Sequence, residues 1–243
     1  LNGGYPQRFG NRTGAEVNFR LREGSRQRTQ TRVAVSGTSA SVVLEGPLGR
    51  ARRASWLLSA RRSYLDLVLN RLSMEGLDFT FSDAQAKLAW DASDRQRLEL
   101  TVIAGRSRLE EKREDSDTGQ LVTGRNGSAL AIGSWRVAGR RGVVTSRALV
   151  STNHFRNENR GVVEYDRGHD TQLAARVEGA LPVAPGLQLE GGLQADRTAE
   201  GRIRRRSSGR LYRVINDFEG AAWRAGGWGD RGDVEDADAG ELL

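Results

Sequence analysis

In the second half of the chain, apolar side chains fall on every second residue. Leu98, Leu100, Val102 and Ala104 are separated by Glu99, Thr101 and Ile103. The same spacing returns in Ala129, Ala131, Gly133, Trp135 and Val137, and again in Leu173, Ala175, Val177, Gly179 and Leu181. Successive side chains of a strand point to opposite faces, so each segment has one face of small aliphatic residues and one more polar face. A run of such segments with charged stretches between them suits a sheet with lipid on one side and water on the other. That is the pattern of a transmembrane β-barrel rather than of a soluble enzyme.

Composition agrees once the period is taken into account. Only 37% of the 243 residues are hydrophobic, the mean hydropathy is -0.58, and no apolar run approaches the roughly 20 residues of a membrane helix. Low hydropathy also describes disorder, but the regular alternation opposes that reading. Thirty Gly and four Pro fit a turn-rich β chain better than long helices. The net charge of +7 and pI near 10.6 raise nucleic-acid binding. The arginines, however, are spread along the chain next to Asp or Glu, and the one cluster, Arg202 with Arg204–Arg206, reads as a solvated loop. With no Cys, disulfides, thiolate metal sites and Cys nucleophiles are excluded. An exported protein needs a signal peptide, so a chain starting at Leu1 is expected to derive from a longer precursor.

Candidate strands follow in order: Ala15–Arg22, Thr31–Gly37, Ser41–Gly46, Ser55–Leu67, Asp83–Trp90, Arg97–Arg106, Asn126–Val137, Val143–Asn153, Thr171–Leu181 and Leu187–Ala195. The later part of Ser55–Leu67 alternatively opens a short helix after Tyr64. Short turns are expected at 91–94, 138–142 and 182–186, and long polar loops at 107–127, 157–170 and 196–209. Short turns alternating with long loops is the asymmetry of a barrel with turns on one side of the membrane and loops on the other. After Trp223 the alternation stops in a Gly- and Asp-rich tail, 224–243.

Gly4-Tyr5-Pro6-Gln7-Arg8-Phe9-Gly10, followed by Gly14-Ala15-Glu16-Val17-Asn18-Phe19, resembles the end of the plug domain in TonB-dependent outer-membrane receptors. Glu45-Gly46-Pro47-Leu48, Ser55–Leu65 and Phe81–Leu88 look like the first barrel strands of a subgroup of these receptors. The resemblance is motif-level over about residues 3–90 and only pattern-level from there to 223. It implies an all-β fold: an antiparallel transmembrane β-barrel of about 22 strands around a plug. A tilted membrane crossing takes about 9–11 residues per strand, so this chain supplies about half of such a barrel. The expected organisation is 1–24 the end of the plug domain, 25–223 the N-terminal portion of the barrel, and 224–243 an irregular tail. Barrels of this class end in an aromatic residue, so the native C-terminus is expected to be absent or altered. The resemblance implies energy-coupled uptake of a scarce ligand of siderophore, cobalamin or glycan type, with the lipid bilayer and the inner-membrane TonB complex as partners, the latter through an upstream segment.

No catalytic constellation, cofactor motif or metal-ligand spacing is present. His154 and His169 read as exposed loop residues, and Asp115–Gly119 lacks the ligand ladder of a calcium loop. The candidate substrate-binding residues are Arg61, Ser63 and Glu45. In the barrel reading Arg61 and Ser63 face the lumen, where Arg61 meets the plug or an anionic substrate, or pairs with a carboxylate such as Glu45 or Glu99. Trp56, Tyr64, Trp90 and Trp135 are candidate membrane-interface aromatics. Two other readings stay open: a non-transporting outer-membrane barrel or adhesin, and a soluble β-sandwich that binds polyanions.

Overall fold

The computed structural model describes residues 20–71, 77–111, 121–159, 164–184, 187–208 and 211–232. It contains ten strands and one helix: β1(Gln30–Val35), β2(Ser39–Leu48), β3(Ala54–Ser63), α1(Leu65–Arg71), β4(Leu77–Ser93), β5(Gln96–Glu111), β6(Leu121–Ala138), β7(Val143–Asn159), β8(Glu164–Ala184), β9(Leu187–Ser208) and β10(Leu211–Gly232). All ten strands form one sheet in chain order, every neighbour antiparallel. A sandwich needs a second sheet packed on the first. Here one sheet stands alone, and its buried apolar residues among those described are only Ala54, Leu57 and Ala89. Among the described residues the single antiparallel sheet is that of an unclosed part of a barrel, not the sandwich kept open as an alternative.

The alternation read from sequence becomes two faces through the register. Leu44, Leu58, Ala86, Val102, Ala131 and Val150 lie directly across from one another from β2 to β7. Trp90, Leu98, Trp135, Ser146 and Val177 form a parallel row nearer the short turns. The larger apolar side chains of these rows are mostly exposed, Leu58 to 48% and Val177 to 46%, with Ala86, Leu98 and Ala131 half-buried, whereas the alternate residues of β5 and β7 are mostly half-buried. Among the described residues nothing covers the apolar face, as a face turned to hydrocarbon requires. On β8 this face runs from Thr171 to Val183. At about 3.3 Å per residue and a tilt of about 45° it rises about 28 Å, close to the roughly 25 Å apolar band of a membrane barrel.

The strands outrun that band. From β4 to β10 they hold 16 to 22 residues, against the 9–11 needed to cross. The long polar loops expected at 107–127, 157–170 and 196–209 are largely strand: β5 continues to Glu111, β7 to Asn159 and β9 to Ser208. The apolar alternation marks only the part in lipid. Beyond it the backbone ladder continues while neither face has to be apolar, so polar side chains do not end a strand. For the same reason β10 pairs with β9 as far as Gly232, past the tail boundary set at Trp223. The helix alternative is realised in α1: the buried Ser63 Oγ accepts the Leu65 amide hydrogen at 3.1 Å and turns the chain out of β3. The expected strand Ala15–Arg22 falls outside the described residues apart from 20–22, which are not strand.

Candidate functional site

One face of the sheet carries the exposed apolar belt, and the other meets the chain segment that precedes β1. Residues 20–29 lie against this second face near the short-turn end, held almost wholly by charge. The Glu45 carboxylate, 1% exposed on β2, receives Arg22 at 2.5 Å, Arg32 and the Ser25 backbone amide at 3.1 Å. Lys87 donates to the Leu21 carbonyl at 2.8 Å and pairs with Glu99 at 3.1 Å. Arg97 bridges Glu23 and Glu99, and Arg26 bridges Glu23 and Asp91. Gly24 is obligatory here, because a Cβ would stand 2.0 Å from the Trp56 carbonyl oxygen. Glu45, Lys87, Asp91, Arg97 and Glu99 thus form a charged seat for the entering chain.

Further from the turns, the same face bears Arg61, which pairs with Asp83 at 2.8 Å and lies 5.0 Å over the Phe81 ring. Neither Glu45 nor Glu99, the partners considered from sequence, is used. The register sets Asp83 directly opposite Arg61, whereas Glu45 and Glu99 are engaged at the seat. Both groups of the Arg61–Asp83 pair remain accessible, at 51% and 38%. Ser63 is turned inward, donating to the Thr38 carbonyl at 3.3 Å as well as holding the start of α1. Tyr64 donates to the Ser36 carbonyl at the same rim. Arg61, Ser63 and Glu45 therefore share a face but not a pocket: Arg61 is open, while Glu45 and Ser63 are engaged by the protein itself.

A second pair on this face was missed by sequence reasoning. Arg202 forks onto Asp166 through Nε at 2.9 Å and a terminal nitrogen at 2.6 Å, and it lies 5.4 Å over the Phe155 ring. Hydrogen bonding to Asp166, reinforced by its charge, raises the Arg202 pKa above its already high ordinary value. Gly168 makes room for the Phe155 ring, its absent Cβ falling 2.7 Å from the ring edge. The cluster Arg202 and Arg204–Arg206, expected as a solvated loop, lies on β9, where alternation divides Arg202 and Arg204 from Arg205. The missed signal is the i, i+2 spacing of Arg202 and Arg204.

Trp90 and Trp135 occupy one row on the apolar face and are about half exposed, at 49% and 47%. Trp56 is one row further in, opposite Leu88. Tyr64 sits at the other rim. His154 and His169, expected in loops, oppose each other on β7 and β8. Their rings turn apart over Gly127 and Gly201. Among the described residues no group of His, Asp or Glu is arranged to hold a metal.

No protein-family model and no curated protein matches the sequence. Solved structures do match the fold. The open form of the ferric-catecholate import receptor Fiu from E. coli K12 is similar with a TM-score of 0.52 at 10% identity, over 84% of this chain and 45% of the receptor. Its closed form gives 0.50 at 12% identity, over 84% and 42%. The ferric yersiniabactin uptake receptor FyuA from Yersinia pestis gives 0.51 at 11% identity, over 84% and 38%. The chain therefore has the fold of part of a TonB-dependent receptor barrel and spans less than half the length of these receptors.

Proposed function

We propose that this chain forms part of the wall of an outer-membrane, TonB-dependent uptake receptor, in which the charged face lines the lumen and residues 20–29 are the path by which the plug joins the barrel. The observation that carries the reading is the two-faced sheet: an exposed apolar belt of membrane height on one side, and a charged seat for the entering chain on the other. The likeness to two ferric-siderophore receptors supports an iron-chelate type of ligand ahead of cobalamin or a glycan. Siderophore complexes of that kind are commonly anionic, and the open Arg61, stacked on Phe81 beside Asp83, offers a cation–π-supported charge toward them. The two outer edges, β1 and β10, would expose unpaired backbone to lipid, which costs several kcal/mol per unsatisfied group. Pairing at both edges is therefore part of the proposal.

The test uses the full-length protein. It should fractionate with the outer membrane, migrate anomalously in SDS unless heated, and support TonB-dependent uptake of a radiolabelled ferric siderophore. Arg61→Ser should raise the apparent KM for uptake while leaving the amount of folded protein unchanged. Recovery in the soluble periplasmic fraction would end this reading, and membrane location without any TonB-dependent uptake would leave the adhesin in its place.

A further inference from the structure

The apolar face does not simply become polar above the membrane. It becomes an arginine row. Arg108, Arg125, Arg156 and Arg167 lie directly across from one another on β5, β6, β7 and β8. They share the face of Ala104, Ala129, Thr152 and Thr171, which stand four residues nearer the membrane centre on each strand. At about 3.3 Å per residue and a tilt of about 45° that places the guanidinium groups about 9 Å beyond the edge of the belt, at headgroup depth. All four are exposed.

Like charges directly opposite one another on neighbouring strands repel, so the row needs counter-charge. One row further out, part of it is supplied. Glu110 pairs with Arg108 at 2.6 Å, Glu158 and Glu164 with Arg156 at 2.7 and 3.0 Å, and Glu164 with Arg167 at 3.2 Å. On β6 the position between Glu110 and Glu158 is Thr123. Arg125, the middle of the row, therefore makes no ion pair among the described residues. One row nearer the belt, Arg106 reaches only the Ser82 hydroxyl, at 3.0 Å. On β10 the corresponding positions are acidic, Asp217 and Glu219, so the positive patch is confined to the middle of the sheet.

We infer that Arg125, with Arg106 and Arg108 beside it, binds the phosphate group of outer-leaflet lipid headgroups. The patch continues the lipid-facing belt and looks away from the lumen, so the lipid itself is the anion that reaches it. Arginine suits the task because its planar fork holds phosphate oxygens bidentately. The inference rests on the membrane reading above.

The test places the full-length protein in phosphatidylcholine vesicles with a minor fraction of phosphatidic acid, whose headgroup is a phosphate monoester. Electron spin resonance of spin-labelled phosphatidic acid and spin-labelled phosphatidylcholine then measures which lipid the protein immobilises. Phosphatidic acid should be preferred several-fold. Arg125→Ser should remove most of that preference, and Arg125→Ser/Arg108→Ser should bring it to about one. Arg136→Ser, whose position alternates onto the lumen face, should leave it intact, and resistance to trypsin should show that every variant is inserted. Equal immobilisation of both lipids by inserted wild-type protein overturns the assignment. So does a preference untouched by Arg125→Ser, or binding of inorganic phosphate with no lipid preference. Failure of the wild-type protein to insert at all overturns the membrane reading and this inference with it.

Discussion

Removing the Glu45 carboxylate should loosen residues 20–29 less than removing the two arginines that satisfy it. Glu45 is buried, but Arg22 and Arg32 are 52% and 56% exposed at the side chain. In Glu45→Gln both guanidinium groups turn back to water, and the amide oxygen still accepts from Ser25. Charge-assisted bonds are worth about 1.5–3 kcal/mol each when shielded, but pairs with a half-exposed partner fall toward 1 kcal/mol or less. Relief from burying a charge offsets part of the loss. The net cost to docking of the segment is about 1–2 kcal/mol. In Arg22→Ser/Arg32→Ser the carboxylate stays buried with only the Ser25 amide, and an uncompensated buried charge costs about 3–5 kcal/mol. Hydrogen exchange of the peptide covering 20–29, in the full-length protein, reads both. Exchange should quicken about 10-fold in Glu45→Gln and at least a further 10-fold in the double variant, since about 1.4 kcal/mol is a factor of ten. Equal effects, or a larger one from Glu45→Gln, would refute the idea that the carboxylate is the buried member of the knot.

Other substitutions separate the two faces and the packing. Val102→Arg, on the lipid face, should cost about 2–4 kcal/mol in urea unfolding from vesicles, whereas Thr101→Arg on the adjacent lumen position should cost less than about 1 kcal/mol. Gly24→Ala should release residues 20–29, because its Cβ would strike the Trp56 backbone, while Gly105→Ala, whose Cβ would find only ordinary contacts at 3.8 Å, should not; proteolysis of the segment distinguishes them. Arg202→Ala strips the forked partner from Asp166, whose side chain is 7% exposed. With only Arg204 left, at 4.0 Å, it should lower unfolding free energy by about 2–3 kcal/mol.

What the sequence made legible was what lipid imposes. Leu98–Ala104 and Leu173–Leu181 alternate because hydrocarbon touches one face, and the pattern located their strands and faces. Above the membrane that constraint is gone. The outer ends of β5, β7 and β9 therefore carried no alternation to read, although their backbones pair there as regularly as below. Register was equally hidden. That Asp83 rather than Glu45 partners Arg61 depends on how β3 and β4 slide past each other, which no single strand reveals. The Arg202–Asp166 fork joins β8 to β9 and was obscured for the same reason. Its i, i+2 arginines read as a charge run until strand geometry split them between faces.

The most direct test of the account is a cysteine scan of β5 from Leu98 to Ala104, in the full-length protein carrying one cysteine at a time and a nitroxide on each. In vesicles, collision with oxygen dissolved in the lipid and with a water-soluble nickel chelate should alternate residue by residue. Positions 98, 100, 102 and 104 should meet oxygen, and positions 99, 101 and 103 should meet the chelate or be shielded by protein. Accessibility with no two-residue period, or with the chelate reaching 98, 100, 102 and 104, would contradict a lipid-facing wall.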